Sequence, residues 1–225
     1  MKIASLDHVA LWVAERDALA DFLTTHVGMH VIERTDAFTI VGADARRGKL
    51  TLFAVEDPRE PPPLRRVVLR VSDLEEAAAA LPADAGVERS DGIATFTAAG
   101  ALPLGLVEAK GVDYDLDHVV LEAADPKLSF AELSGLGFEA RDGRLWAGDA
   151  YVSIEQGSAA DPERSLLNHL GLRVDSAAEH IEEARSRGLD IADVVDAPNT
   201  YALFVWGPER VKLEYVEHKA SFSLV

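Results

Sequence analysis

The stretch LDHVVLEA at residues 116–123 has three counterparts: LDHVALWV at 6–13, LRRVVLRV at 64–71 and LNHLGLRV at 167–174. Each alternates with period two, the pattern of a strand with one buried face. In the first, Val9, Leu11 and Val13 point one way while His8, Ala10 and Trp12 point the other. In LDHVVLEA, Val119, Leu121 and Ala123 oppose His118, Val120 and Glu122, and in LNHLGLRV, Leu170, Leu172 and Val174 oppose His169, Gly171 and Arg173. One face is apolar throughout and is expected to pack on a helix. The other carries the polar and reactive side chains.

A helical stretch follows each of these strands, at residues 17–26, 74–81, 128–133 and 177–187. The fourth is the most clearly delimited, with Ser176 placed to cap its start and Gly188 to stop it. Glycine breaks and short strand-like runs come next, closing on final strands at 49–55, 102–109, 151–155 and 211–216. The chain therefore reads as four βαβββ modules, an α+β fold built by internal repetition. Pairing consecutive modules gives two incomplete barrels, residues 1–110 with a degenerate site and residues 111–225 with the complete one; the alternative is an exchange of modules between halves or between chains. The division is expected within residues 110–114, and the proline-rich run at 58–63 links the first two modules.

Composition narrows the function. The chain has 225 residues, 22 Lys and Arg against 39 Asp and Glu, and a net charge of −17. It carries no basic stripe to displace counterions from a phosphate backbone, so a nucleic-acid partner is not expected. There is no cysteine, so any metal must be held by nitrogen and oxygen, and a reducing compartment is expected. No apolar run is long enough to span a bilayer and none marks a secretory leader, which predicts a cytoplasmic protein without a membrane partner. A small-molecule substrate is expected, and a homodimer is compatible with the sequence.

Aligning the module ends gives the candidate chemistry. The first-strand position holds His8, Arg66, His118 and His169. In the last strands KLTLF, GLVEA, VSIEQ and KLEYV, the aligned residues are Thr51, Glu108, Glu155 and Glu214. The second half thus offers His118, Glu155, His169 and Glu214. Two imidazoles and two carboxylates suit zinc, nickel, cobalt, manganese or ferrous iron. In the first half Arg66 puts a permanent cation where a ligand is needed, and Thr51 removes a carboxylate. His8 is therefore read as structural for want of partners, and His26, His30, His180 and His218 as surface residues.

These modules resemble the vicinal oxygen chelate superfamily, which includes glyoxalase I, methylmalonyl-CoA epimerase, fosfomycin- and bleomycin-resistance proteins and the extradiol dioxygenases. The resemblance rests on the LDHV-type first strands, VGM at 27–29, LGF at 136–138 and GPERVKLEYV at 207–216. It implies a divalent metal on His118, His169 and Glu214, with Glu155 at the fourth position used by glyoxalase-like members. It also implies a substrate chelated through adjacent oxygens. The expected reaction is glyoxalase- or epimerase-like proton transfer, with Glu155 or Glu214 moving the proton. The alternatives are an extradiol-type ferrous dioxygenase and a non-catalytic small-molecule binding or resistance protein. The extradiol signature also has a histidine and a tyrosine before the final glutamate. Here Phe204 stands at the tyrosine position, and residues 195–197 hold no histidine. Phe204 and Trp206 are expected to wall the pocket. Arg173 either anchors an anionic substrate group or forms an ion pair with Glu122.

Overall fold

The computed structural model describes residues 1–111, 114–158 and 163–224. The four modules are present in full. The first comprises β1 (Ser5–Val13), α1 (Arg16–His26), β2 (His30–Arg34), β3 (Phe38–Gly42) and β4 (Lys49–Ala54). The second comprises β5 (Leu64–Val71), α2 (Leu74–Ala79), β6 (Glu88–Ser90), β7 (Ile93–Ala98) and β8 (Leu102–Glu108). The third comprises β9 (Asp115–Ala123), α3 (Pro126–Gly135), β10 (Glu139–Arg141), β11 (Arg144–Ala147) and β12 (Ala150–Gln156). The fourth comprises β13 (Leu167–Arg173), α4 (Ala177–Arg187), β14 (Ile191–Asp196), β15 (Thr200–Trp206) and β16 (Lys212–His218). The apolar faces of the four first strands are buried as the alternation requires, with Val9, Leu11, Val119, Leu121, Leu170 and Leu172 in the core. Ser176 caps α4 by accepting from the Glu179 N–H, and Gly188 ends it at φ +64°, the left-handed conformation that glycine adopts without penalty.

Module pairing differs from the expectation. One eight-stranded sheet runs β14-β15-β16-β13-β1-β4-β3-β2 and the other runs β10-β11-β12-β9-β5-β8-β7-β6. The first module thus pairs with the fourth, and the second with the third, through the antiparallel contacts β1–β13 and β5–β9. Residues 1–110 and 111–225 therefore do not form separate paired-module units. Of the expected boundary segment, residues 112 and 113 lie outside the described residues. Residue 60, between β4 and β5, pairs with residues 164–166, just before β13. Glu60 donates its backbone N–H to Arg164 (2.8 Å) and accepts from Leu166 (2.7 Å), and Arg164 Nε donates to the Glu60 carboxylate at 2.9 Å.

Four irregularities recur at equivalent places in the two central strand pairs. The registers skip Asp7 between Leu6 and His8, Asn168 between Leu167 and His169, Asp117 between Leu116 and His118, and Arg65 between Leu64 and Arg66. Each skipped residue is the one before a first-strand cup position. A bulge leaves its extra residue outside the ladder and re-aims nearby side chains, which is why bulges gather at sites.

Candidate metal centre

Strand pairing brings three cup-facing side chains of the first sheet together. His8 comes from β1, His169 from β13 and Glu214 from β16. The register sets Ala10 against His169 and Gly171 against both His8 and Glu214. Gly171 is required at that crossing, because a Cβ there would lie 2.2 Å from His8 Cε1. The absent side chain is the space the imidazole occupies.

The three potential ligand atoms form a nearly equilateral triangle. His8 Nε2 and His169 Nε2 are 3.0 Å apart, and each lies 3.0 Å from Glu214 Oε2. An ion with bonds of about 2.1 Å and right-angled neighbours separates adjacent ligand atoms by about 3.0 Å, whereas a tetrahedral ion needs about 3.4 Å. Both geometries lie within reach of small side-chain adjustments from this triangle, and among the described residues it is the one group of three or more His or acidic side chains close enough to hold an ion.

The bulges hold both imidazoles in the orientation an ion needs. Asp7 Oδ1 meets His8 Nδ1 at 2.8 Å, and Asn168 Oδ1 meets His169 Nδ1 at 3.0 Å. With Nδ1–H donating to these oxygens, both Nε2 atoms are left to face the centre, the outer support that metal-binding histidines need. Asp7 is itself buried and also contacts Lys49 Nζ at 2.7 Å and His218 Nε2 at 3.2 Å.

Charges in the cluster are tightly coupled. Burial opposes the His8 imidazolium, but the bonds to Asp7 and Glu214 outweigh it and raise its pKa to about 9. Burial and the neighbouring charges of His8 and Lys212 keep His169 low, against the pull of Glu214. Burial alone would raise the Glu214 carboxyl, yet the two imidazoles hold it well below the ordinary carboxylate range. Asp7 is depressed in the same way by Lys49, His218 and His8. The Glu214 carboxylate and two imidazole nitrogens form a nitrogen–oxygen donor set of the kind divalent cations take, with the His8 proton released as an ion enters.

A cavity of about 400 Å³ opens over the triad, and its lining includes Phe38, Ile40, Phe53, Phe204, Val216 and Phe222. Phe204 lies across the ladder from Glu214, with its ring 5.3 Å from that of His169. Thr51 occupies the fourth repeat position; it is buried, pairs with Ala10 and lines the cavity.

Of the residues expected at the metal, His169 and Glu214 are there and His118 and Glu155 are not. His118 belongs to the second sheet, where its Nδ1 meets Asp117 at 2.6 Å and its ring stacks on Tyr151 at 4.5 Å. The register explains Glu155. Two residues after His169, Gly171 faces Glu214, whereas two residues after His118, Val120 faces Ser153. Ser153, not Glu155, is thus the counterpart of Glu214. Glu155 lies further along, beside Glu122, and Arg65 binds both carboxylates, at 2.9 Å and 2.6 Å. The second cup therefore presents Arg66, Gly105, His118 and Ser153, a set unsuited to a metal, and Arg66 packs over Gly105.

Other expectations divide. Phe204 walls the cavity, but Trp206 faces a neighbouring recess lined by Trp12 and Asn168 and stacks under Arg210. Arg173 does not pair with Glu122; it lines a recess beside the cavity with Arg46, Glu217 and His218. His180 is buried, bonded to Ser176 O and to the Lys2 backbone. His8, Asp7, Lys49 and His218 were missed as site residues. The repeat had marked His8 as a cup position, and the Asp or Asn before each first-strand histidine was the available signal for its outer support.

Residues 5–215 match the family described as the Glyoxalase/Bleomycin resistance protein/Dioxygenase superfamily, and the chain belongs to it. A comparison with curated proteins returns no match. Similar solved structures include a putative dioxygenase from Bacillus subtilis, with a TM-score of 0.77 at 14% identity over 98% of this chain and 87% of that one. Glyoxalase I from Zea mays aligns with a TM-score of 0.74 at 13% identity over 95% and 92%. The cppA protein from Streptococcus pneumoniae aligns at 0.69 and 14% identity, over 96% and 100%. At these identities the likeness establishes the shared fold. Among the described residues, no helix is long and apolar enough to cross a membrane.

Proposed function

We propose that the protein is a mononuclear metal enzyme that takes a small substrate through two adjacent oxygens, with ferrous iron and dioxygen-dependent ring cleavage as the reaction. The observation that carries this reading is the triangle of His8, His169 and Glu214 with 3.0 Å edges and Thr51, not a second carboxylate, at the fourth position. Two histidines and one carboxylate, with no fourth protein ligand beside them, are the donor set typical of non-haem ferrous oxygenases, and His8, His169 and Glu214 would hold the ion. When bound, the iron supplies Lewis acidity toward the substrate oxygens and a place for dioxygen. Both oxygen atoms of dioxygen enter the product, so no outside reductant is needed.

The chain's own residues have separate tasks in this reading. His8, His169 and Glu214 hold the ion, while Asp7 and Asn168 keep each imidazole turned inward. Phe38, Phe53 and Phe204 flank the ring and exclude water from it. Outside the triad and the Asp7–Lys49 pair, Glu33 and His218 are the acid–base side chains lining the cavity, and the substrate hydroxyl proton passes to one of them.

Oxygen uptake by the anaerobically iron-loaded protein tests this reading. Addition of catechol should consume one dioxygen per ring cleaved, and Glu214→Ala should abolish it. Uptake that survives Glu214→Ala, or iron-loaded protein inert toward a panel of catechols, would overturn it. A second reading, proton transfer on an α-hydroxycarbonyl or thioester, draws support from Glu33, a carboxylate that lines the same cavity. It predicts turnover with zinc, nickel or cobalt in the absence of oxygen, lost in Glu33→Gln.

A further inference from the structure

Most aromatic walls of the cavity are fixed by strands: Phe38 on β3, Phe53 on β4 and Phe204 on β15. Phe222 is different. It follows β16 and reaches the cavity from a segment pinned at a few points. Lys219 donates its backbone N–H to Asn199 O at 2.9 Å, and Phe222 donates to Lys219 O at 2.9 Å. Ser221 Oγ donates to Pro198 O at 2.8 Å, and the Lys219 ammonium pairs with Asp196.

The Phe222 ring is held by an imidazole and two cations. It stacks on His218 with centroids 4.1 Å apart and planes 6° from parallel. The Lys49 ammonium lies 5.8 Å and the Arg46 guanidinium 6.0 Å from its centroid, within cation–π range. His218 and Lys49 both contact Asp7, which orients His8. One phenyl ring thus straps the fourth module to the first across the cavity, at the end of a contact chain that begins at the metal centre.

We propose that Phe222 is the specificity-determining wall of the site, closing it over aromatic ligands and favouring them over aliphatic chelators of the same metal. This rests on the reading that the triad opens into this cavity. Aromatic pairing adds stabilisation beyond the buried area alone, so the ring should discriminate where a bare oxygen chelate cannot.

The test compares three probes on wild type, Phe222→Ala and the milder Phe222→Leu, each checked for folding by thermal melting. Iron-loaded anaerobic protein is titrated with 4-nitrocatechol and with acetohydroxamate, aromatic and aliphatic two-oxygen chelators. Metal-free protein is titrated with phenol, which does not chelate, followed by NMR. Phe222→Ala should weaken 4-nitrocatechol and phenol on the order of tenfold, change acetohydroxamate less than about twofold, and leave iron affinity intact; Phe222→Leu should fall between. Equal weakening of both chelators, unchanged phenol binding, or no phenol binding by the wild type would overturn the proposal. If the wild type takes no iron, the metal reading fails, and the phenol titration alone decides the role of Phe222.

Discussion

At the scale of single residues, the geometry of the triad depends on groups outside it. Gly171 is the sharpest case, since a methyl there would sit 2.2 Å from His8 Cε1 and the backbone of β13 cannot yield without breaking two ladders. Gly171→Ala should therefore displace His8 and lower iron affinity on the order of tenfold or more, measured by anaerobic competition with a chromogenic chelator. Unchanged affinity would mean that the His8 ring does not need that space. Asp7→Asn keeps an oxygen for His8 Nδ1 but removes the charge that partners Lys49. Changes of this kind in outer support typically cost about 10- to 100-fold in metal affinity, and the same titration should show it. If Asp7→Asn binds iron like the wild type, the support given by Asp7 is dispensable.

At the scale of elements, alternation made the repeat legible: four first strands, their buried faces and the cup positions His8, His169 and Glu214 follow from period-two patterning in the sequence. Register was not legible. Aligning VSIEQ with KLEYV by their acids moved Glu155 onto a position that the ladder gives to Ser153, because residue type was used where only hydrogen-bond pairing decides. The bulges at Asp7, Asn168 and Asp117 were equally hidden, since an extra residue in a ladder leaves no periodic trace over so short a strand. Partner choice between modules is the most non-local feature of all. Any first strand offers the same edge, so the alternation common to all four does not say that β1 selects β13. The nested pairing has a direct consequence. Proteolytic cleavage within residues 110–114 should leave the two halves bound to each other, co-eluting by size exclusion until denaturant is added. Two fragments that separate and stay folded in buffer would contradict the pairing of β1 with β13 and of β5 with β9.

At the scale of the whole molecule, two cups built on one plan have diverged. One keeps three potential ligands and an open cavity, while the other holds Arg66 against Gly105 and a stacked His118. The triad is assembled by bringing the first and last modules together, His8 from one and His169 and Glu214 from the other, so on the proposed reading neither half alone would hold the metal. Anaerobic ferrous titration with elemental analysis, applied to a panel of single variants, tests this most directly. The wild type should bind one equivalent of iron per chain. His8→Ala, His169→Ala and Glu214→Ala should each lose it, whereas His118→Ala and Glu155→Gln should keep it. Iron retained at full stoichiometry by His8→Ala, or lost in His118→Ala, would contradict the account.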